Sequence, residues 1–129
     1  MPSFTGGTGD DTLLGTESAD TLADIGGRNL LRGLGGDDLL FFGSGTDASG
    51  TLEGGTGHDT LLGGSGDDRL RGGDGNDTLQ DSGGLANLLE GEDGDDQLSF
   101  VDNGQTAGTL DGGAGADQLW AGQGSQLLL

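Results

Sequence analysis

An all-β solenoid is the fold class the sequence predicts, on three observations. Gly54 to Gln80 reads GGTGHDTLL, GGSGDDRLR, GGDGNDTLQ, three consecutive nine-residue units with Gly at positions 1, 2 and 4, Asp at 6 and Leu at 8. The same ruler, extended outwards, assigns every residue after Thr5 and finds leucine at the eighth position of all thirteen units. Composition points the same way, because 32 glycines and 29% hydrophobic residues in a chain of 129 leave little apolar material for an ordinary globular core. A short fixed period with one apolar residue per unit is buried by stacking units on one another.

The units start at Gly6, Gly15, Asp24, Gly33, Phe42, Gly54, Gly63, Gly72, Asp81, Gly91, Phe100, Gly112 and Ala121. Residues 1–5 are then a lead-in, and residues 6–129 one domain of about thirteen repeats. The units at Phe42 and Phe100 carry three extra residues each, and the one at Asp81 carries one. Counted back from the end of each unit, position 8 is Leu13, Leu22, Leu31, Leu40, Leu52, Leu61, Leu70, Leu79, Leu89, Leu98, Leu110, Leu119 and Leu128. Each unit is expected to be a Gly-rich turn followed by a very short strand whose middle residue points inward. A flexible Gly-rich linker would not hold leucine to one phase.

A longer period lies over the short one. Asp24 to Gly55 resembles Asp81 to Gly113, and Gly6 to Asp24 resembles Gly63 to Asp81, so six units form a block of 57 or 58 residues that occurs twice. Ala121 to Leu129 begin a third block, from which the chain is expected to be a piece of a larger protein. Leu127 to Leu129 would leave an apolar end without a polar cap, a candidate for end-to-end self-association.

Charge narrows the partners. With 23 acidic against 4 basic side chains, a net charge of −19 makes the chain repel itself unless something cationic joins it. Nucleic acid and membrane insertion are disfavoured. No cysteine is present, so disulfides and thiolate metal sites are excluded, whereas hard oxygen donors abound. Neither a charged-then-apolar leader nor an apolar run of membrane-spanning length is found.

Calcium takes six to eight oxygen ligands at about 2.3–2.6 Å, and a loop can aim several carbonyls at one point only by turning sharply, as glycine allows. The unit matches GGxGxDxUx, a nonapeptide of calcium-binding β-helices. Over Gly6 to Leu129 the chain resembles the RTX (hemolysin-type) repeat family, the calcium-binding parallel β-rolls of proteins exported by bacterial type I secretion systems. The resemblance implies a right-handed parallel β-roll with several Ca2+ ions between stacked loops. It assigns the side-chain ligands of the three regular units to Asp59, Asp68 and Asp77, with turn carbonyls around Gly55, Gly57, Gly64, Gly66, Gly73 and Gly75. Gly36, Gly94, Gly113 and Gly115 are their counterparts in neighbouring units. It also implies a secreted bacterial protein in which the module assists export and stabilises an attached domain.

In a β-roll two units make one turn, so alternate units share an edge. Even units place Asp20, Asp38, Asp59, Asp77, Asp96 and Asp117 at position 6 without exception. Odd units place Asp11, Asn29, Asp47, Asp68, Asn87, Gln105 or Gly108, and Gln126 there, and carry all the insertions. One edge is thus expected to hold a regular ladder of ions and the other fewer. The first even loop, GTESAD from Gly15 to Asp20, lacks two of the glycines and is the weakest of its edge.

Enzymatic chemistry finds little support. His58 is the single histidine, at a variable turn position, and neither a GxSxG elbow nor an HExxH helix occurs. Arg28, Arg32, Arg69 and Arg71 are too few for a polyanion-binding stripe and are expected to relieve charge on an outer face. Phe42 and Phe100 open the two long odd units at equivalent places. Packing under a loop is one reading of them, and a carbohydrate or protein contact on the odd edge, making the chain an adhesive module, is the other.

Overall fold

A computed structural model describes residues 1–43, 48–101 and 106–129, and among these there are strands and turns and no helix. Two seven-stranded parallel sheets face each other. The first contains β1 (Ser3–Thr5), β3 (Thr21–Asp24), β5 (Leu39–Phe42), β7 (Thr60–Leu62), β9 (Thr78–Asp81), β11 (Gln97–Phe100) and β13 (Gln118–Trp120). The second contains β2 (Thr12–Leu14), β4 (Arg28–Gly35), β6 (Ser49–Thr56), β8 (Asp68–Asp74), β10 (Asn87–Asp93), β12 (Gly108–Ala114) and β14 (Gln126–Leu128). The chain alternates between the sheets, which is the β-roll expected of a nine-residue period with two units per turn.

Register follows the leucine column. Leu22, Leu40, Leu61, Leu79, Leu98 and Leu119 align across the first sheet, and Leu13, Leu31, Leu52, Leu70, Leu89, Leu110 and Leu128 across the second. Ten of these thirteen are fully buried. Leu13 and Leu119 pack against the core only in part, and Leu128 is 46% exposed, because each lies in an end turn with a neighbour on one side only. Ser3–Thr5, within the expected lead-in, supplies β1, with Phe4 in register with Leu22 at the head of the apolar column.

The long odd units join the ladder by their ends. Gly50 lies between Asn29 and Asp68, and Gly108 between Asn87 and Gln126, so these glycines hold position 6 of their units. Asp47 and Gln105 lie outside the described residues. Phe42 and Phe100 are 3% and 4% exposed and belong to the core, which favours the packing reading of both rings.

Outside the second sheet, Arg32 pairs with Glu53 at 2.6 Å, Arg69 with Glu90 at 2.9 Å, and Arg71 with Glu92. Each pair joins neighbouring strands, as expected for arginines that offset local charge, and each is solvent-exposed enough to add little stability.

Candidate metal centre

Between the end of each second-sheet strand and the next first-sheet strand runs a Gly-rich turn, and stacking brings the even-unit turns together as one edge of the solenoid. Each position 6 aspartate enters that stack just before a strand. Its backbone amide donates to Oδ1 of the aspartate one turn further on. Asp20 donates to Asp38 at 2.7 Å, Asp38 to Asp59 at 2.8 Å, Asp59 to Asp77 at 2.7 Å, Asp77 to Asp96 at 2.7 Å, and Asp96 to Asp117 at 3.0 Å. Parity therefore sorts these six residues as expected.

The other carboxylate oxygen is left over. Oδ2 of Asp38, Asp59, Asp77 and Asp96 is buried with no hydrogen-bond partner, and so is Oδ1 of Asp20. A Cβ added at Gly54 would lie closer than 3.0 Å to both Asp59 Oδ2 and the carbonyl of Gly72, and Gly33, Gly72 and Gly91 repeat the arrangement with the next turn. At each of these four levels, then, a bare carboxylate oxygen and a carbonyl oxygen flank one small space that glycine leaves open. Buried unpaired polar atoms are costly, and a column of anionic ones is the donor chemistry of a hard cation.

The turn glycines hold this shape. Gly36, Gly55, Gly57, Gly73, Gly75, Gly94, Gly113 and Gly115 all have φ between +90° and +144°. A Cβ at Gly75 would strike the carbonyl of Gly57 in the turn below. Gly64 and Gly66 lie on the odd edge. Gly64 has a φ of +99°, whereas Gly66 is needed for the close approach of Ala48 and Ser49.

Burial raises the carboxyl groups of Asp38, Asp59, Asp77 and Asp96 above their usual range. Asp38 and Asp77 are pushed up to about 6 and Asp59 to about 7, with the neighbouring aspartates of the column adding to the rise. Asp96 is raised for the same reasons. A cation among the oxygens would offset both the burial and the mutual repulsion of the column.

The model of the RTX calcium-binding nonapeptide repeat matches four times, over residues 5–24, 15–49, 44–79 and 104–125. The chain belongs to this family. No curated protein and no solved structure matched it. RTX membership makes the chain a calcium-binding β-roll, and the orphaned oxygens fit the ion: Asp20, Asp38, Asp59, Asp77, Asp96 and Asp117 would supply charge, and turn carbonyls the neutral donors.

The edges differ as parity suggests. The GTESAD loop is closed by the Thr16 amide on Asp20 Oδ2 and by a contact between Thr16 and Ser18. Asp117, in the last even turn, is partly exposed. On the odd edge, Asp68 is buried with Oδ2 unpartnered, while Asp11 is partly exposed and accepts the Gly7 amide at 2.7 Å. Two acidic residues there escape a motif-based reading. Asp24 and Asp81 stand at position 1, where the RTX unit has glycine, and both are buried with an unpartnered Oδ2. Their signal was present in the 57-residue superrepeat, which puts aspartate at that position twice.

Proposed function

We propose that this chain is a calcium-dependent folding module of a larger secreted bacterial protein, assisting export and stabilising the domains attached to it. The observation that carries the reading is the even-edge column of buried, unpartnered carboxylate oxygens, which opposes folding until cations neutralise it. Five gaps separate six even turns, so one ion per gap gives about five ions on that edge, with fewer on the other. The module has no catalytic role of its own. His58, the single histidine, is exposed, and its Nδ1 accepts the Asn76 amide at 2.9 Å in an outer column of turn contacts. Among the described residues no helix is long and apolar enough to cross a membrane, and RTX repeats are typical of secreted bacterial proteins.

Calorimetric titration of the chelator-stripped chain with calcium tests the reading. Several ions should bind per chain. Absence of calcium binding at millimolar concentration would overturn it.

A further inference from the structure

The odd edge holds a pair of carboxylates that the nonapeptide does not specify. A point beside Gly63, where a Cβ would be, lies 2.6 Å from Asp81 Oδ2 and 3.0 Å from Asp68 Oδ2. The equivalent point beside Gly6 lies closer still to Asp24 Oδ2 and 3.0 Å from Asp11 Oδ2. On the even edge the same space is flanked by the unit's own aspartate and the next turn's position 1 carbonyl. Here the position 1 side chain reaches in beside the unit's own aspartate.

Asparagine at position 6 explains why. Asn29 and Asn87 keep the ladder intact, since Asn29 Oδ1 accepts the Asp11 amide at 2.9 Å and Asn87 Oδ1 the Asp68 amide at 2.8 Å. An amide cannot supply the second negative charge that successive even-edge aspartates provide. Its Nδ2 donates instead, from Asn29 to Asp24 Oδ1 at 3.0 Å and to the Gly26 carbonyl at 2.9 Å, and from Asn87 to the Gly83 carbonyl. Oδ1 of Asp24 and of Asp81 also accepts an amide two residues on, from Gly26 and Gly83, each at 3.0 Å. Both side chains are thereby held with Oδ2 turned to the partner carboxylate.

Around the position 1 carboxylate the two copies are built alike, whereas Asp11, unlike Asp68, is partly exposed and its Oδ2 also accepts the Gly7 amide at 2.7 Å. A glycine, Gly6 or Gly63, leaves the space into which the carboxylate reaches. On the far side the register neighbours of Asp24 and Asp81 are the buried Phe42 and Phe100. Asp24, Asp68 and Asp81 are no more than 2% exposed, and Oδ2 of each is unpartnered.

We propose that each superrepeat carries one additional calcium site on the odd edge, held by Asp68 with Asp81 and by Asp11 with Asp24, in which the second carboxylate has moved from position 6 to position 1. Each pair then presents two negative charges, as two successive even-edge aspartates do. The proposal rests on the calcium-binding reading above. It goes beyond that reading in making Asp24 and Asp81 ligands. Desolvation, reinforced by Asp81, pushes the Asp68 carboxyl up to about 8, as expected of two acids crowded without their counter-ion.

Calcium bound per chain, counted by equilibrium dialysis at saturation, tests the proposal on wild type, Asp24→Asn/Asp81→Asn and Asp59→Asn. The double variant should lose two ions relative to wild type while keeping its far-ultraviolet circular dichroism in calcium. Adding Asn87→Asp to it should restore one, since a carboxylate returns to position 6. An unchanged ion count in the double variant would overturn the proposal but leave the calcium reading intact, provided Asp59→Asn lowers the count. If wild type itself binds no calcium, both fall. Anomalous scattering from crystals of wild type grown in calcium gives a measurement independent of variant folding. A peak bonded to both Asp68 and Asp81 is expected, and its absence beside occupied even-edge sites would contradict the proposal.

Discussion

The amide of Asp59 donates to Oδ1 of Asp77 at 2.7 Å, one solenoid turn away, while Oδ2 of both aspartates has no partner. One side chain thus serves two turns at once. Its first oxygen fixes the stacking of backbone on backbone, and its second is free for an ion. Replacing Asp77 by asparagine keeps the first role and removes charge from the second. The calcium concentration at half-folding should rise on the order of tenfold. Asp37→Asn, in the outer column where Asp37 accepts the His58 amide at 2.9 Å, should shift it far less. Calcium titrations followed by circular dichroism compare the two.

Without metal, acid should favour the fold. Burial raises Asp38, Asp59, Asp68, Asp77 and Asp81 to between about 6 and about 8 from an ordinary value of 3.8. Groups raised in the folded state stabilise it fully below the unfolded value, and that contribution is lost as pH rises through the folded one. In chelator, β structure should therefore be greater near pH 4 than at pH 8. With saturating calcium the order should reverse, because protons and calcium compete for the same oxygens. A pH series of circular dichroism spectra in both conditions is sufficient.

Two residues in the even turns stand where neighbouring units have glycine. Leu34 and Glu92 have φ of +83° and +78°, a region that costs a non-glycine residue about 1–2 kcal/mol. Leu34→Gly should stabilise the calcium form by about 1 kcal/mol, the cost less some added chain entropy. Glu92→Gly should gain less, because it also removes the partner of Arg71. Gly55→Ala should destabilise by about 2 kcal/mol or more, since its φ is +117° and a Cβ there strikes the Leu34 carbonyl. Urea unfolding in excess calcium measures all three.

Core position matters more than residue type. Leu61 is fully buried, so Leu61→Ala should cost about 2–5 kcal/mol. Leu128 holds the same place in its unit but is 46% exposed, so Leu128→Ala should cost no more than about 1 kcal/mol. The same urea experiment separates them.

The fold was legible because a solenoid writes its geometry into a short period: the phase of Leu40, Leu61 and Leu79 alone sets register across three turns. Parity likewise placed Asp38, Asp59 and Asp77 in one column. Insertions were harder to read, since counting forward from Phe42 reaches Asp47 at position 6 while counting back from Leu52 reaches Gly50. Strand pairing selects Gly50, because the ladder is continuous at the strand and interrupted at the turn. Asp24 and Asp81 escape the motif for a different reason. A motif fixes attention on position 6, whereas a carboxylate at position 1 becomes a site only when the turn below carries glycine and its own position 6 carries asparagine, a relation between units that stacking creates.

The most direct measurement of calcium-coupled folding is the far-ultraviolet circular dichroism of the chain in chelator and then in millimolar calcium at neutral pH. A disordered spectrum should convert cooperatively to one rich in β structure, with magnesium at the same concentration failing to produce it. A chelator spectrum already rich in β structure and unchanged by calcium would contradict the account.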